Sequence, residues 1–253
     1  MGPQDYIAVF DSGVGGLSVL KALLQEMPGE NFLYFGDSAN APYGEKSTQE
    51  VKRLTMAAAQ RLLERGVKAL VLACNTATAA AVEELRSAYP DVIIIGIEPA
   101  LKLAVDRFPT GKIGVMATPV TLREEKFHQQ LHRFPDAQVT AISAPGLVEL
   151  IEEGHQNDKA VEDLLAPILS PYYNQLDAVV LGCTHYPFAA KTIGKLLGEK
   201  TLLLDGGEGT ARQARRRLEE ENLLLEGEGS VQMENSAQDV QMLAYGMALL
   251  EEN

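Results

Sequence analysis

ALVLACNTA, residues 69–77, and AVVLGCTHY, residues 178–186, are two similar stretches that decide the fold. Each begins with a short apolar run, which is typical of a strand buried in a parallel sheet. Each then places a cysteine at the end of that run, Cys74 in the first and Cys183 in the second. These are the two cysteines of the chain, so both fall at equivalent points of a repeated pattern.

Two more pairs of segments indicate an internal duplication. IAVFDSG at 7–13 resembles IGVMATP at 113–119, which begins 106 residues later, whereas the cysteine stretches are 109 residues apart. FLYFGD at 32–37 is weakly similar to QVTAIS at 138–143. Buried parallel strands look alike without common descent, but the equivalent cysteines favour a duplication.

Apolar strand-like runs alternate with helical spacing along both halves. Strands are predicted at 6–10, 32–35, 69–73, 92–97, 113–116, 138–142, 178–181 and 201–204. Ser47 with Glu50 forms a capping box, and Asn157 and Ser236 are the predicted N-caps of later helices. This βαβα order predicts an α/β protein with a mostly parallel sheet, flanked by helices, in each half.

The repeat also predicts the domain organisation. We expect residues 1–97 and 208–253 to form a first α/β domain that carries Asp11 and Cys74. Residues 98–207 should form a second domain that carries Cys183 and His185. The tail from about residue 208 has no counterpart in the repeat, so we expect it to return to the first half. Two pseudo-symmetric halves would then have the active site in the cleft between them.

Charge and cysteine content exclude several classes of function. A net charge of -13 repels nucleic-acid backbones and anionic membranes. The sequence has no apolar run long enough to span a membrane, and MGPQDYIAVF lacks the basic region of a signal peptide, so we expect a cytoplasmic protein. In that reducing compartment the cysteines should be thiols. The sequence does not decide the oligomeric state, for which a homodimer is a candidate.

Polar clusters follow four of the predicted strands: Asp11-Ser12-Gly13, Gly36-Asp37-Ser38, Cys74-Asn75-Thr76 and Cys183-Thr184-His185. Ligands of open parallel sheets bind beyond the carboxyl ends of the strands. Each cysteine also precedes a predicted helix, whose N-terminus favours the thiolate. Two thiols on opposite sides of a cleft could remove a proton from one face of a carbon and return one to the other face.

Other interpretations of these residues are weaker. Cys74, Cys183 and His185 are potential metal ligands, but no CxxC or HxxxH spacing supports a metal site. A lone cysteine is also a common core residue, and His185 could be a structural hydrogen-bonding residue. The glycines of DSGVGG at 11–16 are too close together for a dinucleotide fingerprint, and they suit a turn that cradles a phosphate or carboxylate.

Four motifs in this order resemble the glutamate racemases of the cofactor-independent aspartate/glutamate racemase superfamily. They are DSGVGG at 11–16, GDSANAPYG at 36–44, CNTA at 74–77 and GCTHYP at 182–187, and the resemblance covers essentially the whole chain. It implies interconversion of L- and D-glutamate without pyridoxal phosphate or another cofactor. It also implies that the product supplies D-glutamate for bacterial peptidoglycan synthesis.

The resemblance implies a role for each matching residue. Cys74 and Cys183 are the alternating bases, of which Cys74 takes the proton from D-glutamate and Cys183 from L-glutamate. Asp11 assists Cys74, His185 assists Cys183, and Glu152 is an auxiliary acid. The residues implied to hold the amino acid are Asp11, Ser12, Pro42, Tyr43, Gly44, Asn75, Thr76, Thr184 and His185.

Two departures and three alternatives accompany this interpretation. Asn40 stands where many members of the family have arginine, and Phe188-Ala189 where many have an aliphatic pair. A racemase of aspartate or another amino acid is one alternative, but the aspartate enzymes resemble GCTE at the second cysteine and lack an acid equivalent to Asp11. A decarboxylase of the same fold is the second alternative, but it needs only one of the two cysteines. The third is a non-catalytic carboxylate-binding relative, and the complete site motifs argue against it. Activation by a cell-wall precursor cannot be read from the sequence.

Overall fold

The structure is a computed structural model that describes residue 2 and residues 4–97, 100–123 and 125–251. The chain divides into two compact units. Unit 1 consists of Met1–Glu98 and Gly207–Asn253, and unit 2 of Pro99–Gly206. None of the helices in the described ranges combines the length and apolarity needed to cross a bilayer.

Strands and helices alternate along the described residues. The strands are β1 Ile7–Asp11, β2 Asn31–Gly36, β3 Ala69–Leu72, β4 Ile93–Gly96, β5 Lys112–Ala117, β6 Gln138–Ser143, β7 Ala178–Leu181, β8 Leu202–Leu204 and β9 Ser230–Asn235. The α-helices are α1 Leu17–Glu26, α2 Thr48–Leu63, α3 Asn75–Ala88, α4 Ala100–Arg107, α5 Pro119–Arg123, α6 Glu125–His132, α7 Leu147–Glu152, α8 Lys159–Leu169, α9 Ala190–Leu197, α10 Gly207–Glu220 and α11 Val240–Glu251. Short 3-10 helices span Ser38–Asn40, Tyr43–Glu45, Ser170–Tyr172 and Tyr186–Ala189.

Unit 1 is built on a parallel sheet with the strand order β4-β3-β1-β2-β9. The tail of the chain supplies β9, which pairs with β2 from Asn31 to Gly36. A buried ion pair holds the segment that leads to β9. Lys68 Nζ lies 2.6 Å from Glu30 Oε2 and donates to the Leu223 carbonyl, while Glu30 Oε1 accepts from the N–H of Leu225.

Unit 2 contains a parallel sheet with the order β6-β5-β7-β8. Alternating side chains of its strands enter two hydrophobic clusters. Met116 and Leu181 pack with residues of α7, α8 and α9, whereas Val115 and Val180 pack with residues of α4 and α6. Because successive side chains of a strand point to opposite faces, helices cover both faces of this sheet. The predicted α/β class with parallel, helix-flanked sheets is confirmed.

The two sheets share one internal order. Without β9, unit 1 reads β2-β1-β3-β4, which corresponds strand by strand to β6-β5-β7-β8. Ile7 pairs with Ala69 and Ile113 with Ala178, the residues that the sequence repeat equates. The weakly similar segments 32–37 and 138–143 are displaced by one residue from the 106-residue offset. Ile7 pairs with Phe32, but Ile113 pairs with Val139 and not with Gln138. Four of the six residues of β6 are polar or exposed, so its sequence carries too little apolar pattern to define a register.

Two predicted helix caps are wrong and one is confirmed. The Ser47 hydroxyl accepts from the N–H of Glu50, as the capping box predicts. However, α8 begins after Asp158 and not at Asn157, and α11 begins after Asp239, whose carboxylate accepts from the N–H groups of residues 241 and 242. The Ser236 hydroxyl instead accepts from the N–H of Ala39. A tertiary contact thus occupies the side chain that the local pattern assigned to a cap.

Candidate active site

Cys74 lies at the junction between β3 and α3. Its backbone is extended (φ -62°, ψ 119°), and its Sγ accepts from the N–H of Ala77 at 3.4 Å, so Cys74 is the N-cap of a 14-residue helix. A cap of this kind satisfies one of the unpaired N–H groups of the first turn and lies at the positive end of the helix dipole. The Ser12 hydroxyl lies 3.6 Å from the same sulfur. The predicted helix N-terminus at Cys74 is therefore confirmed.

Asp11 is the last residue of β1 and is completely buried. Its carboxylate accepts from the N–H of Gly13 at 3.0 Å, and the loop then folds closely over it. A Cβ at position 16 would lie 2.5 Å from the Asp11 Cβ, which explains the glycine there. The Tyr34 hydroxyl donates to the Gly13 carbonyl at 2.6 Å. The DSGVGG loop is thus held over the end of β1, with Ser12 beside Cys74.

The loop after β2 carries Pro42, Tyr43 and Gly44. The Tyr43 ring is buried against Phe10, and its hydroxyl donates to Asp37 Oδ2 at 2.6 Å. Burial, the hydrogen bond to Asp37 and the Asp37 charge raise the pKa of Tyr43 well above its ordinary value, so the phenol stays protonated. Because Asp37 engages the hydroxyl, the main chain of residues 43 and 44 is the part of this turn suited to a ligand.

Asn75 and Thr76 follow Cys74 in the first turn of α3. Within the described residues, the buried Asn75 Oδ1 has no hydrogen-bond partner. A buried amide oxygen without a donor costs free energy, and such an atom at the carboxyl end of a sheet is suited to accepting from a ligand. We call Asp11, Ser12, Asp37, Tyr43, Cys74, Asn75 and Thr76 half-site 1; all belong to unit 1.

Cys183 follows β7 and lies beside an imidazole. Its Sγ is 3.7 Å from His185 Nδ1, and His185 Nε2 is 2.5 Å from Glu152 Oε1 at the end of α7. Burial of the ring opposes its charged form. The hydrogen bonds to Cys183 and Glu152 and the Glu152 charge outweigh that effect and raise the pKa of His185 well above its usual value. We call Glu152, Cys183, Thr184 and His185 half-site 2; all belong to unit 2.

The helix predicted directly after Cys183 is wrong in position. The chain makes a turn and the 3-10 helix Tyr186–Ala189 before α9 begins at Ala190. Pro187 lies in the first turn of that 3-10 helix and has no N–H to donate. Half-site 2 therefore lacks the helix N-cap contact of Cys74, and a buried imidazole with a carboxylate stands next to the sulfur instead.

Sequence reasoning missed Thr118 and the role of Asp37 and Asn40. The 106-residue offset equates Ser12 with Thr118, which is buried at the end of β5 and whose hydroxyl accepts from the N–H of Thr121 at 3.3 Å. That offset was the available signal for Thr118. Asp37 lies in one of the polar clusters at the strand ends and Asn40 is a departure from the family, but no sequence signal indicates their contact, because it depends on how the loop after β2 folds.

In the part of the chain that the structure describes, no three His, Cys, Asp or Glu side chains are placed together to hold a metal ion.

Comparisons with known proteins identify the family. Residues 11–214 match the Asp/Glu/Hydantoin racemase family. The chain is 46% identical over 249 residues to a glutamate racemase of Clostridium perfringens, covering 97% of this chain and 96% of that protein. The solved glutamate racemase of Thermus thermophilus, in complex with beta-chloro-D-alanine, is 39% identical with a TM-score of 0.86, covering 98% and 94% of the two chains.

A glutamate racemase from Francisella tularensis, solved with D-glutamate, is 30% identical with a TM-score of 0.88, covering 99% of this chain and 95% of that one. The shared fold and the cysteine-bearing strand ends define an α/β racemase with two domains. The chain belongs to the Asp/Glu/Hydantoin racemase family, as the sequence motifs predict.

Proposed function

We propose that this protein interconverts L- and D-glutamate with Cys74 and Cys183 as bases on opposite faces of one substrate. The observation that carries this proposal is the repeated strand end. In unit 1 the buried thiol of Cys74 follows β3, which pairs with β1. In unit 2 the buried thiol of Cys183 follows β7, which pairs with β5 in the same way. A polar side chain lies beside each thiol. A racemase needs two such groups, one to remove the α-proton and one to supply it.

Glutamate is favoured as the substrate by the relatives and by the site. The relatives from Clostridium perfringens and Thermus thermophilus, which this chain matches over nearly its whole length, are named glutamate racemases. By the family resemblance, Asp11 and His185 are the two residues that separate this chain from the aspartate enzymes, and both belong to the half-sites. The unpartnered Asn75 oxygen is suited to the substrate ammonium group.

In the proposed reaction, each turnover removes one proton from the α-carbon of glutamate and adds one proton to the same carbon. With D-glutamate, the Cys74 thiolate takes the α-proton and becomes a thiol, and the electron pair remains on the α-carbon as a carbanion. The Cys183 thiol then gives its proton to the opposite face and becomes a thiolate. With L-glutamate the two sulfurs exchange roles. The His185 imidazolium, held by Glu152, stabilises the Cys183 thiolate.

The carbanion has to be stabilised by the site in this proposal. Pyridoxal phosphate would need a lysine for a Schiff base. Lys68, a fully buried lysine, lies at the amino end of β3 in an ion pair with Glu30, away from the carboxyl ends of the strands. Hydrogen bonds to the substrate carboxylates are proposed from Ser12, the main chain of residues 43 and 44, Asn75, Thr76, Thr118 and Thr184.

The wider role is also part of the proposal. D-Glutamate formed in this way would supply peptidoglycan synthesis, as the family resemblance implies. Cytoplasmic location and a homodimer stay predictions from the sequence.

Hydrogen exchange at the α-carbon tests the function. We expect solvent deuterium to appear at the α-carbon of both enantiomers in D2O, together with loss of optical rotation, when the protein is incubated with L- or D-glutamate. Aspartate is the matched control and should exchange far more slowly. Binding of glutamate without deuterium incorporation would identify a non-catalytic carboxylate-binding protein and overturn the proposal.

A further inference from the structure

Asp37 is a buried carboxylate that the proton transfers do not use. It follows β2 and has 1% of its surface exposed. Its Oδ2 accepts from the Tyr43 hydroxyl at 2.6 Å, and both of its oxygens lie 3.0 Å from Asn40 Nδ2. A buried carboxylate is stable only when donors satisfy it, and here two neutral side chains from the same loop do so.

The loop that Asp37 holds has little structure of its own. Residues 38–45 form two 3-10 helices of three residues each, joined by Ala41 and Pro42. Helices this short gain few backbone hydrogen bonds for the conformational entropy they lose. The loop therefore depends on side-chain contacts for a defined position.

Asp37 connects this loop to the strand that carries Asp11. The N–H of Asp37 donates to the Asp11 carbonyl at 2.9 Å, while its side chain holds Asn40 and Tyr43. One residue thus fixes the turn at residues 43 and 44 relative to the end of β1. The Tyr43 ring adds a contact with Phe10 on that same strand.

We propose that Asp37 is a positioning residue for substrate binding, which acts through the Tyr43 hydroxyl on the turn at residues 43–44, and that Asn40 orients its carboxylate. This inference rests on the proposed function, because the turn is assigned there to the substrate. Asp37 does not touch the substrate in this scheme. Its effect is on where the main chain of the turn lies.

Two variants test the bond from either side. Asp37→Asn replaces the charged acceptor, and Tyr43→Phe removes the donor. Each should raise KM for both enantiomers about tenfold, the size of a lost hydrogen bond to a charged group, with kcat changed less than about twofold. KM should respond because the turn contacts substrate and transition state alike. The double variant should raise KM by less than the product of the two single effects, because both changes act on the same hydrogen bond.

Amide hydrogen exchange supplies a readout that does not need activity. Asp37→Asn and Tyr43→Phe should speed exchange in residues 38–46 and leave α3 unchanged. Asn40→Ala should raise KM by a smaller factor, about threefold, because Asn40 acts on the turn only by orienting the Asp37 carboxylate. Gln60→Ala, an exposed change on α2 of the same unit, is the control and should alter neither readout.

The outcomes separate this inference from the proposed function. If wild-type protein does not racemise glutamate, the function is wrong, and exchange in residues 38–46 still tests the positioning. Unchanged exchange in both Asp37→Asn and Tyr43→Phe overturns the inference whatever the activity. In an active enzyme, an unaltered KM in both folded variants overturns it as well. If Asp37→Asn does not fold, Tyr43→Phe and Asn40→Ala carry the same test.

Discussion

Half-site 1 and half-site 2 place a cysteine at the same point of the same strand order but surround it differently. Cys74 caps a 14-residue helix and lies beside the Ser12 hydroxyl. Cys183 lies beside His185, which Glu152 holds from the end of α7. The equivalent of Asp11 in unit 2 is Ala117, so the acid of that unit comes from a helix instead of from the strand.

This difference shows that the duplicated fold preserves the position of the cysteine sulfur more readily than the charges that surround it. The backbone places both sulfurs, because strand order and length are set by the buried apolar runs. The charge next to each sulfur comes from loops and helix ends, which vary independently. One thiol is therefore supported by backbone dipoles that do not titrate, and the other by an imidazole that does.

The largest expected effect comes from removing either thiol. Cys74→Ser and Cys183→Ser should each lower racemisation by at least about 10³-fold, because a serine hydroxyl is a far weaker acid and does not ionise near neutral pH. Glutamate should still bind. Cys74→Ser should exchange the α-proton of L-glutamate only, and Cys183→Ser that of D-glutamate only, measured by NMR in D2O. Near-normal racemisation by either variant would contradict the two-base scheme.

A smaller loss is expected when the partner groups change. Asp11→Asn and His185→Asn should lower kcat by about 10²-fold, with a smaller change in KM and an unequal change in the two directions. The ratio kcat/KM must stay equal in both directions, because the enantiomers have equal free energy in water. Asp91→Asn and His155→Asn are the exposed controls. Equal kcat losses in both directions would refute the assignment of one partner to each thiol.

The dyad of half-site 2 should also make stability depend on pH. Since the pKa of His185 is raised in the folded protein, its contribution is fully present below the unfolded value, roughly pH 6.5, and is lost as pH rises through the raised pKa. Glu152→Gln should lower the free energy of unfolding by about 1.5–3 kcal/mol at pH 6. The difference from wild type should shrink at pH 9, as measured by urea unfolding.

Glu153→Gln is the matched control for that experiment, because Glu153 is the exposed neighbour of Glu152. It should change stability by less than about 0.5 kcal/mol at either pH. A deficit in Glu152→Gln that stays constant from pH 6 to pH 9 would show that the carboxylate does not act through the charged imidazole.

The smallest effect tests the equivalence of Ser12 and Thr118. Ser12→Ala and Thr118→Ala should each raise KM for glutamate by about tenfold, the value of one hydrogen bond to a charged carboxylate. Thr118→Ser keeps the hydroxyl and should retain a KM close to wild type. If Thr118→Ala and Thr118→Ser behave alike, the fold repeat does not extend to substrate contacts in unit 2.

Local patterns in the sequence were enough to predict the α/β class, the alternation of elements and the equivalent cysteines. Burial imposes periods of about two residues on strands and 3.6 on helices, and each period can be read within a dozen residues. The first and third repeat segments equate residues that take equivalent places in the pairing of β1 with β3 and of β5 with β7. In the weakly patterned β6 the equivalence is displaced by one residue.

By itself, then, the sequence determined the fold class and the ends of the strands at which the chemistry is proposed, because buried strands and glycine-rich turns are local features. Only the tertiary structure decided that Glu152 meets His185 across 33 residues, that Asp37 holds Tyr43, and that Ser236 contacts the loop after β2 and not its own helix. Such contacts depend on which loops and helix ends meet once the sheets are packed. Short-range periodicity does not predict these contacts. Burial determines which positions are apolar, but it does not determine which polar side chains become hydrogen-bond partners in the folded chain.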